Sequence, residues 1–223
     1  MSNIKEAPLK AQNFSTWKAD DIIRAGILLC ALTVVIYCIW ISDRGFEITD
    51  EAYYLLNAIH ADSIKAYVTA QQWVSRGIWS ITGSISSFRL SGLFLLMIGA
   101  SVLSIGVHTA CRKYDLVSDR AFYKFTIISG SILGALLYVS TINLSPGYNL
   151  LASASAYAAA GLVLAAACHS KNLSKYTLYS LSGCLLAVEL VSKFPAGIST
   201  LALMLIWIVL LDRSIKAKIF GLL

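Results

Sequence analysis

Charge is what this sequence has least of. Only 13% of its 223 residues are Asp, Glu, Lys or Arg, while 57% are hydrophobic. A soluble domain carries roughly a quarter charged residues, so a surface facing water all round is excluded. Metal and redox signatures are missing too. The five cysteines, Cys30, Cys38, Cys111, Cys168 and Cys184, form no CxxC pair and sit in or beside apolar runs, as small packing residues do. His60, His108 and His169 are scattered without ligand spacing, so no metal site is expected from them. The first 24 residues are polar and lack an apolar core with a small-residue cleavage site, so no removable signal peptide is expected and the first apolar run serves as its own signal.

What the sequence has instead is long runs without formal charge. Ala25 to Ser42 is 18 residues, Leu90 to Cys111 is 22, Phe125 to Ser170 is 46 and Phe194 to Leu211 is 18. About 20 apolar residues cross a hydrocarbon core of roughly 30 Å. The longest run would measure about 69 Å as one helix, twice what a bilayer needs, so it must turn. Turn chemistry concentrates at Asn143-Leu144-Ser145-Pro146-Gly147, which predicts spans over about Phe125 to Ile142 and Tyr148 to Cys168. A shorter span fits Leu178 to Ser192, ending at Lys193-Phe194-Pro195, because the residue before proline is disfavoured in helix. The last runs from about Gly197 to Leu211.

The net charge of +6 points to a membrane and not to nucleic acid once its distribution is read. With the N-terminus inside, the cytoplasmic segments hold thirteen of the 18 basic residues and the outer segments five: Arg44, Lys65, Arg76, Arg89 and Lys193. That asymmetry in short loops predicts both termini in the cytoplasm. The expected fold is therefore all-α and integral to a membrane: about six transmembrane helices, with two interfacial helices in the first extracytoplasmic loop. The expected divisions are a cytoplasmic N-terminal segment (1–24), a transmembrane domain (25–211) including the loop 43–88, and a cytoplasmic C-terminal end (212–223).

The loop is where chemistry is expected. Thr49 is a good N-cap, and Asp50 and Glu51 in the first turn complement the helix dipole. Ala52, Leu55, Leu56 and Ile59 then fall at i, i+3, i+4 and i+7, predicting a helix over about Asp50 to Ala61. Ile64, Tyr67, Val68 and Val74 begin a second stripe, predicting a helix to Gly77. Tyr53, Tyr54, Tyr67, Trp73 and Trp79 supply rings of the kind that settle at headgroup level. Asp50 and Glu51 have two readings: helix capping, or a carboxylate at the bilayer edge that takes a proton from an incoming hydroxyl. Glu189 and Lys193 are four apart and share a helix face. They are either a mutually satisfied pair with the lysine snorkelling to the interface, or a functional charge site. Tyr148 and Asn149, after the turn, are interface anchors and a helix cap, or substrate-side groups. The small-residue run from Ala152 to Ala160 predicts tight helix packing.

Three stretches carry a family resemblance. Gly45-Phe46-Glu47-Ile48-Thr49-Asp50-Glu51-Ala52-Tyr53-Tyr54-Leu55, directly after the first span, resembles the opening motif of the C-type glycosyltransferase superfamily, whose members include protein O-mannosyltransferases and lipid A aminoarabinose transferases. Ser145-Pro146-Gly147-Tyr148-Asn149-Leu150-Leu151 is similar to the stretch before their fourth span, and Val191-Ser192-Lys193-Phe194-Pro195-Ala196-Gly197 to a step between later spans. The resemblance covers the N-terminal half of such enzymes. It implies a bacterial inner-membrane protein that transfers a sugar from a polyprenyl-phosphate carrier to an acceptor on the outer face. Asp50 would match the catalytic base, with Glu51 supporting it. Lys193 would contact the lipid phosphate, with Arg89 adding a bidentate contact. Tyr148, Asn149 and Glu189 would lie on the substrate side. Membrane lipids and the lipid-linked sugar are the implied partners, along with a missing C-terminal half or second subunit; nucleic acid is not. No cofactor is indicated, and a divalent metal requirement stays open. The competing readings are a small multi-pass transporter and a non-catalytic membrane partner or truncated copy.

Overall fold

The computed structural model describes residues 14–44, 50–63, 69–114, 116, 121–139, 143–169 and 172–212, and every regular element among them is helical. They form α1 (Phe14–Ile41), α2 (Asp50–Ile59), α3 (Gln71–Thr82), α4 (Ile85–Lys113), α5 (Ala121–Val139), α6 (Tyr148–Cys168), α7 (Asn172–Ser192) and α8 (Phe194–Leu211). Four stretches are long and apolar enough to cross a membrane: Asp20–Ile41 within α1, α4, α6 and α8. The chain has the features of a membrane protein, with an apolar exterior that includes Leu29, Leu32, Ile98, Ile105, Leu205 and Ile206.

Local sequence explains where most helices stop. Gly83 adopts a left-handed backbone (φ 65) and its N–H closes α3 onto the Trp79 carbonyl at 2.9 Å. Ser84 then caps α4, its hydroxyl accepting the Ser87 N–H at 3.2 Å. Arg112 and Lys113 in the last turn of α4 complement its dipole. The turn at 143–147 separates α5 from α6, and Lys193 alone separates α7 from α8, with proline in the first turn of α8.

The second loop helix differs from expectation. It runs from Gln71 to Thr82 and not from Ile64 to Gly77. Thr69 and Ala70 are not helical, and a Cβ at Gly77 would meet nothing, so that glycine neither crowds nor ends the helix. The αL position that stops it is Gly83. The 64–68 stretch with Tyr67, the expected cap Thr49 with 45–48, and 213–223 lie outside the described residues.

α6 is the central helix, packing on α4, α7 and α8, while α5 joins α1 to α4. The α4–α6 pairing is close because glycine recurs along it. A Cβ at Gly92, Gly99 or Gly106 would run into the backbone of Leu144, Ala154 or Gly161 respectively. Cys38, Leu93, Leu96, Ala100, Leu136 and Leu144 fill one apolar cluster beside this seam, and Ala159, Val163, Leu186 and Met204 another.

Side-chain contacts define two opposite ends of the bundle. At one, Arg24 stacks over Tyr123 at 4.2 Å, Lys113 Nζ donates to the Ala167 carbonyl at 2.9 Å, and buried Lys175 pairs with Asp212. At the other gather the end of α1, α2, α3, the start of α4, the turn 143–147 and the α7–α8 break.

Candidate functional site

The turn before α6 is the hub of that second end. Its Ser145 hydroxyl donates to Glu51 in a short hydrogen bond. The Ser75 hydroxyl of α3 lies 2.7 Å from the Pro146 carbonyl oxygen and 2.8 Å from Gln71 Oε1. Gly147 lies against the ring of Tyr54, where a Cβ would come within 2.6 Å of it. Tyr54 in turn meets Tyr148 edge-on, centroids 5.8 Å apart. The backbone N–H of Ala70 donates to the Val191 carbonyl at 3.1 Å, tying the loop to α7.

A buried ion pair holds the first loop helix to this hub. Arg89 Nε and Nη2 each donate at 2.6 Å to the two carboxylate oxygens of Glu51, and Nη1 donates to the carbonyls of Ser42 at 2.9 Å and Arg44 at 3.3 Å. Both side chains are buried, at 6% and 4% exposure. Two-point contacts of this kind are among the stronger charge-assisted hydrogen bonds. Arg89, expected to meet a lipid phosphate, instead has its guanidinium committed to Glu51 and to the end of α1. Glu51 is likewise a buried counter-ion between α2, α4 and Ser145.

Lys193 also departs from its expected pairing. Because the chain leaves the helix at Lys193, its side chain does not continue the face of Glu189. Its Nζ donates to Asn149 Oδ1 at 2.8 Å and lies 5.8 Å from the centroid of the Tyr148 ring. Glu189, 1% exposed, accepts from the Thr200 hydroxyl at 2.7 Å, and its second oxygen has no hydrogen-bond partner.

A cavity of about 360 Å³ opens beside these groups, lined by Tyr53, Asn57, Thr69, Gln71, Gln72, Tyr148, Lys193, Phe194 and Pro195. Among the described residues, Asn57 Oδ1 and Gln72 Nε2 are buried without a hydrogen-bond partner. Orphaned buried amide atoms are uncommon and costly, and beside a cavity they are the features of a site that receives a polar ligand. The lysine supplies positive charge, the amides hydrogen bonds and the tyrosines flat apolar walls.

Of the residues singled out from the sequence, Lys193, Tyr148 and Asn149 come together here. Glu51 and Arg89 join the same network through Ser145. Glu189 lies in α7 away from the cavity lining, and Asp50 is exposed at the first position of α2. Asp50, Tyr53 and Asn57 fall at i, i+3 and i+7, so the carboxylate sits one turn before Tyr53 and two turns before Asn57. Asn57, Gln71, Gln72, Ser145 and Thr200 were not singled out. A polar Asn within the apolar and aromatic run that follows the acidic first turn of α2 was the available signal for Asn57. The chain matches no known family model, no curated protein and no solved structure.

Proposed function

We propose that this chain is a membrane glycosyltransferase of the C-type kind, or its N-terminal module, which takes a sugar from a polyprenyl-phosphate carrier on the extracytoplasmic side of a bacterial inner membrane. The observation that carries the reading is the cavity beside Lys193, where a cation and two unsatisfied buried amides face an otherwise apolar chain. A sugar linked through phosphate to a long apolar tail needs that combination: a charge for the phosphate, amides for hydroxyls, and lipid alongside.

In this reading α1, α4, α5, α6, α7 and α8 are the six spans, with both termini cytoplasmic. Support comes from the two ends defined by contacts, between which successive long helices alternate. The loop helices lie in the interface. Leu56 and Ile59 of α2 are 55% and 42% exposed while Glu51, Tyr54 and Asn57 point inward, an apolar face turned out as a lipid boundary requires.

Asp50 is the base. It takes the proton from the acceptor hydroxyl as that oxygen attacks the anomeric carbon, and the bond from that carbon to the phosphate oxygen breaks. The polyprenyl phosphate leaves with the bonding electrons, and the Lys193 ammonium stabilises the charge it carries away. Glu51 and Arg89 are positioning residues that hold the first turn of α2. A second subunit or a continuation of the chain would complete the acceptor side.

Asp50→Asn tests this directly, because asparagine caps a helix as well as aspartate does but accepts no proton from a hydroxyl. Transfer from a polyprenyl-phosphate sugar in membranes, with expression matched by immunoblot, should fall 10²- to 10⁴-fold. Full activity in the folded variant would return Asp50 to a capping role.

A further inference from the structure

A second cavity, of about 370 Å³, lies at the opposite end of α4, between that helix and α5. Along α4, Arg89 and Arg112 are roughly 35 Å apart at about 1.5 Å per residue, so Arg112 lies about one bilayer thickness from the Arg89–Glu51 pair. His108, Arg112 and Lys124 line this one together with the apolar side chains of Ile105, Phe125 and Ile128.

Three observations converge on one kind of occupant. Two cations stand on facing helices, Arg112 near the end of α4 and Lys124 near the start of α5, both reaching the surface. His108, by contrast, is 5% exposed, and its Nε2 is buried with no hydrogen-bond partner among the described residues. A ring nitrogen in that state needs a polar group brought to it. Of the remaining lining residues, Ser104 and Thr109 turn their hydroxyls to the α4 carbonyls of Ala100 and Ile105, and Ile105, Phe125 and Ile128 are apolar, with Ile105 and Phe125 54% and 64% exposed on the outside of the bundle. Positive charge, one inward polar atom and an apolar flank open to the exterior match a headgroup that carries both phosphate and acyl chains. A free phosphate would have no use for the apolar flank, and a neutral lipid none for the two cations.

We propose that this cavity binds an anionic phospholipid, its phosphate between Arg112 and Lys124, a headgroup oxygen at His108 and an acyl chain against Ile105, Phe125 and Ile128. Basic pockets between membrane helices hold acidic headgroups by this chemistry. The site is independent of the sugar-transfer reading, resting on different residues at the other end of the bundle.

Native mass spectrometry of the full chain, released from detergent containing phosphatidylglycerol or phosphatidylcholine, tests it. Phosphatidylglycerol should be retained preferentially. Arg112→Gln with Lys124→Gln should weaken that retention roughly twenty-fivefold, about fivefold for each cation near an acidic lipid, and leave phosphatidylcholine unaffected. Ile105→Trp, which keeps both cations and fills the apolar flank, should also lower phosphatidylglycerol retention in a protein with an unchanged melting temperature. Equal retention of the two lipids, indifference to the charge variants, or displacement of phosphatidylglycerol by millimolar inorganic phosphate would overturn the proposal.

Discussion

Arg89 and Glu51 meet in a two-point ion pair, Nε to Oε1 and Nη2 to Oε2 both at 2.6 Å, although 38 positions separate them in the chain. The pair joins the first turn of α2 to the start of α4. Removing one partner strands the other. Arg89→Met should therefore cost about 3–5 kcal/mol, and Glu51→Leu a similar amount, whereas the double variant should recover much of the loss. Thermal unfolding in detergent across this cycle measures the coupling; losses that simply add would mean the two groups act separately.

Lys193 offers its charge to the cavity while donating to Asn149. In the proposed mechanism Lys193→Met should weaken binding of polyprenyl phosphate about tenfold or more, the range of one charge-assisted hydrogen bond. Asp50→Asn should leave that binding unchanged, because the base touches the acceptor and not the carrier. Competition against a fluorescent polyprenyl phosphate separates the two effects, and equal losses in both variants would contradict the division of roles.

Orientation is open to labelling. Ser63 is exposed at the end of the bundle that carries the cavity beside Lys193. A cysteine placed there should react in intact cells with a membrane-impermeant maleimide, and one at Ser118 should not. The reverse pattern would invert the proposed topology.

The α4–α6 seam predicts opposite signs for two glycine-to-alanine changes. At Gly99 a Cβ runs into the backbone of Ala154, while at Gly134 in α5 it meets nothing within 4 Å. Gly99→Ala should destabilise by about 1–3 kcal/mol through overpacking. Gly134→Ala should stabilise by about 0.5–1 kcal/mol through the backbone entropy it removes from the unfolded chain. Melting temperatures of the two variants, measured side by side, check both signs.

Four of the six spans expected from the sequence coincide with helices long and apolar enough to cross a membrane, in α1, α4, α6 and α8, and most helix ends were legible as well. Charge-free length and turn residues are local properties, so α6 was legible as Tyr148 to Cys168 and the break at Lys193 was visible from the proline beyond it. The start of α2 at Asp50 was legible from its acidic first turn. Only the tertiary structure decided which charges meet. Spacing allows Lys193 either a pairing with Glu189 or a separate charge site, and in the fold its side chain reaches Asn149 on α6. Arg89 and Glu51 stand at the mouths of different helices, and nothing in their local sequence pairs them. Excluding water from the head of the bundle left each as the other's best partner, and that depends on distant segments folding together, which no local pattern records. The inward face of α2 was decided the same way. Its apolar stripe was legible, but the side that became the interior was the one bearing Glu51, Tyr54 and Asn57: Glu51 accepts from Ser145 and Tyr54 packs on Gly147 and Tyr148, while the stripe needs only an apolar surround.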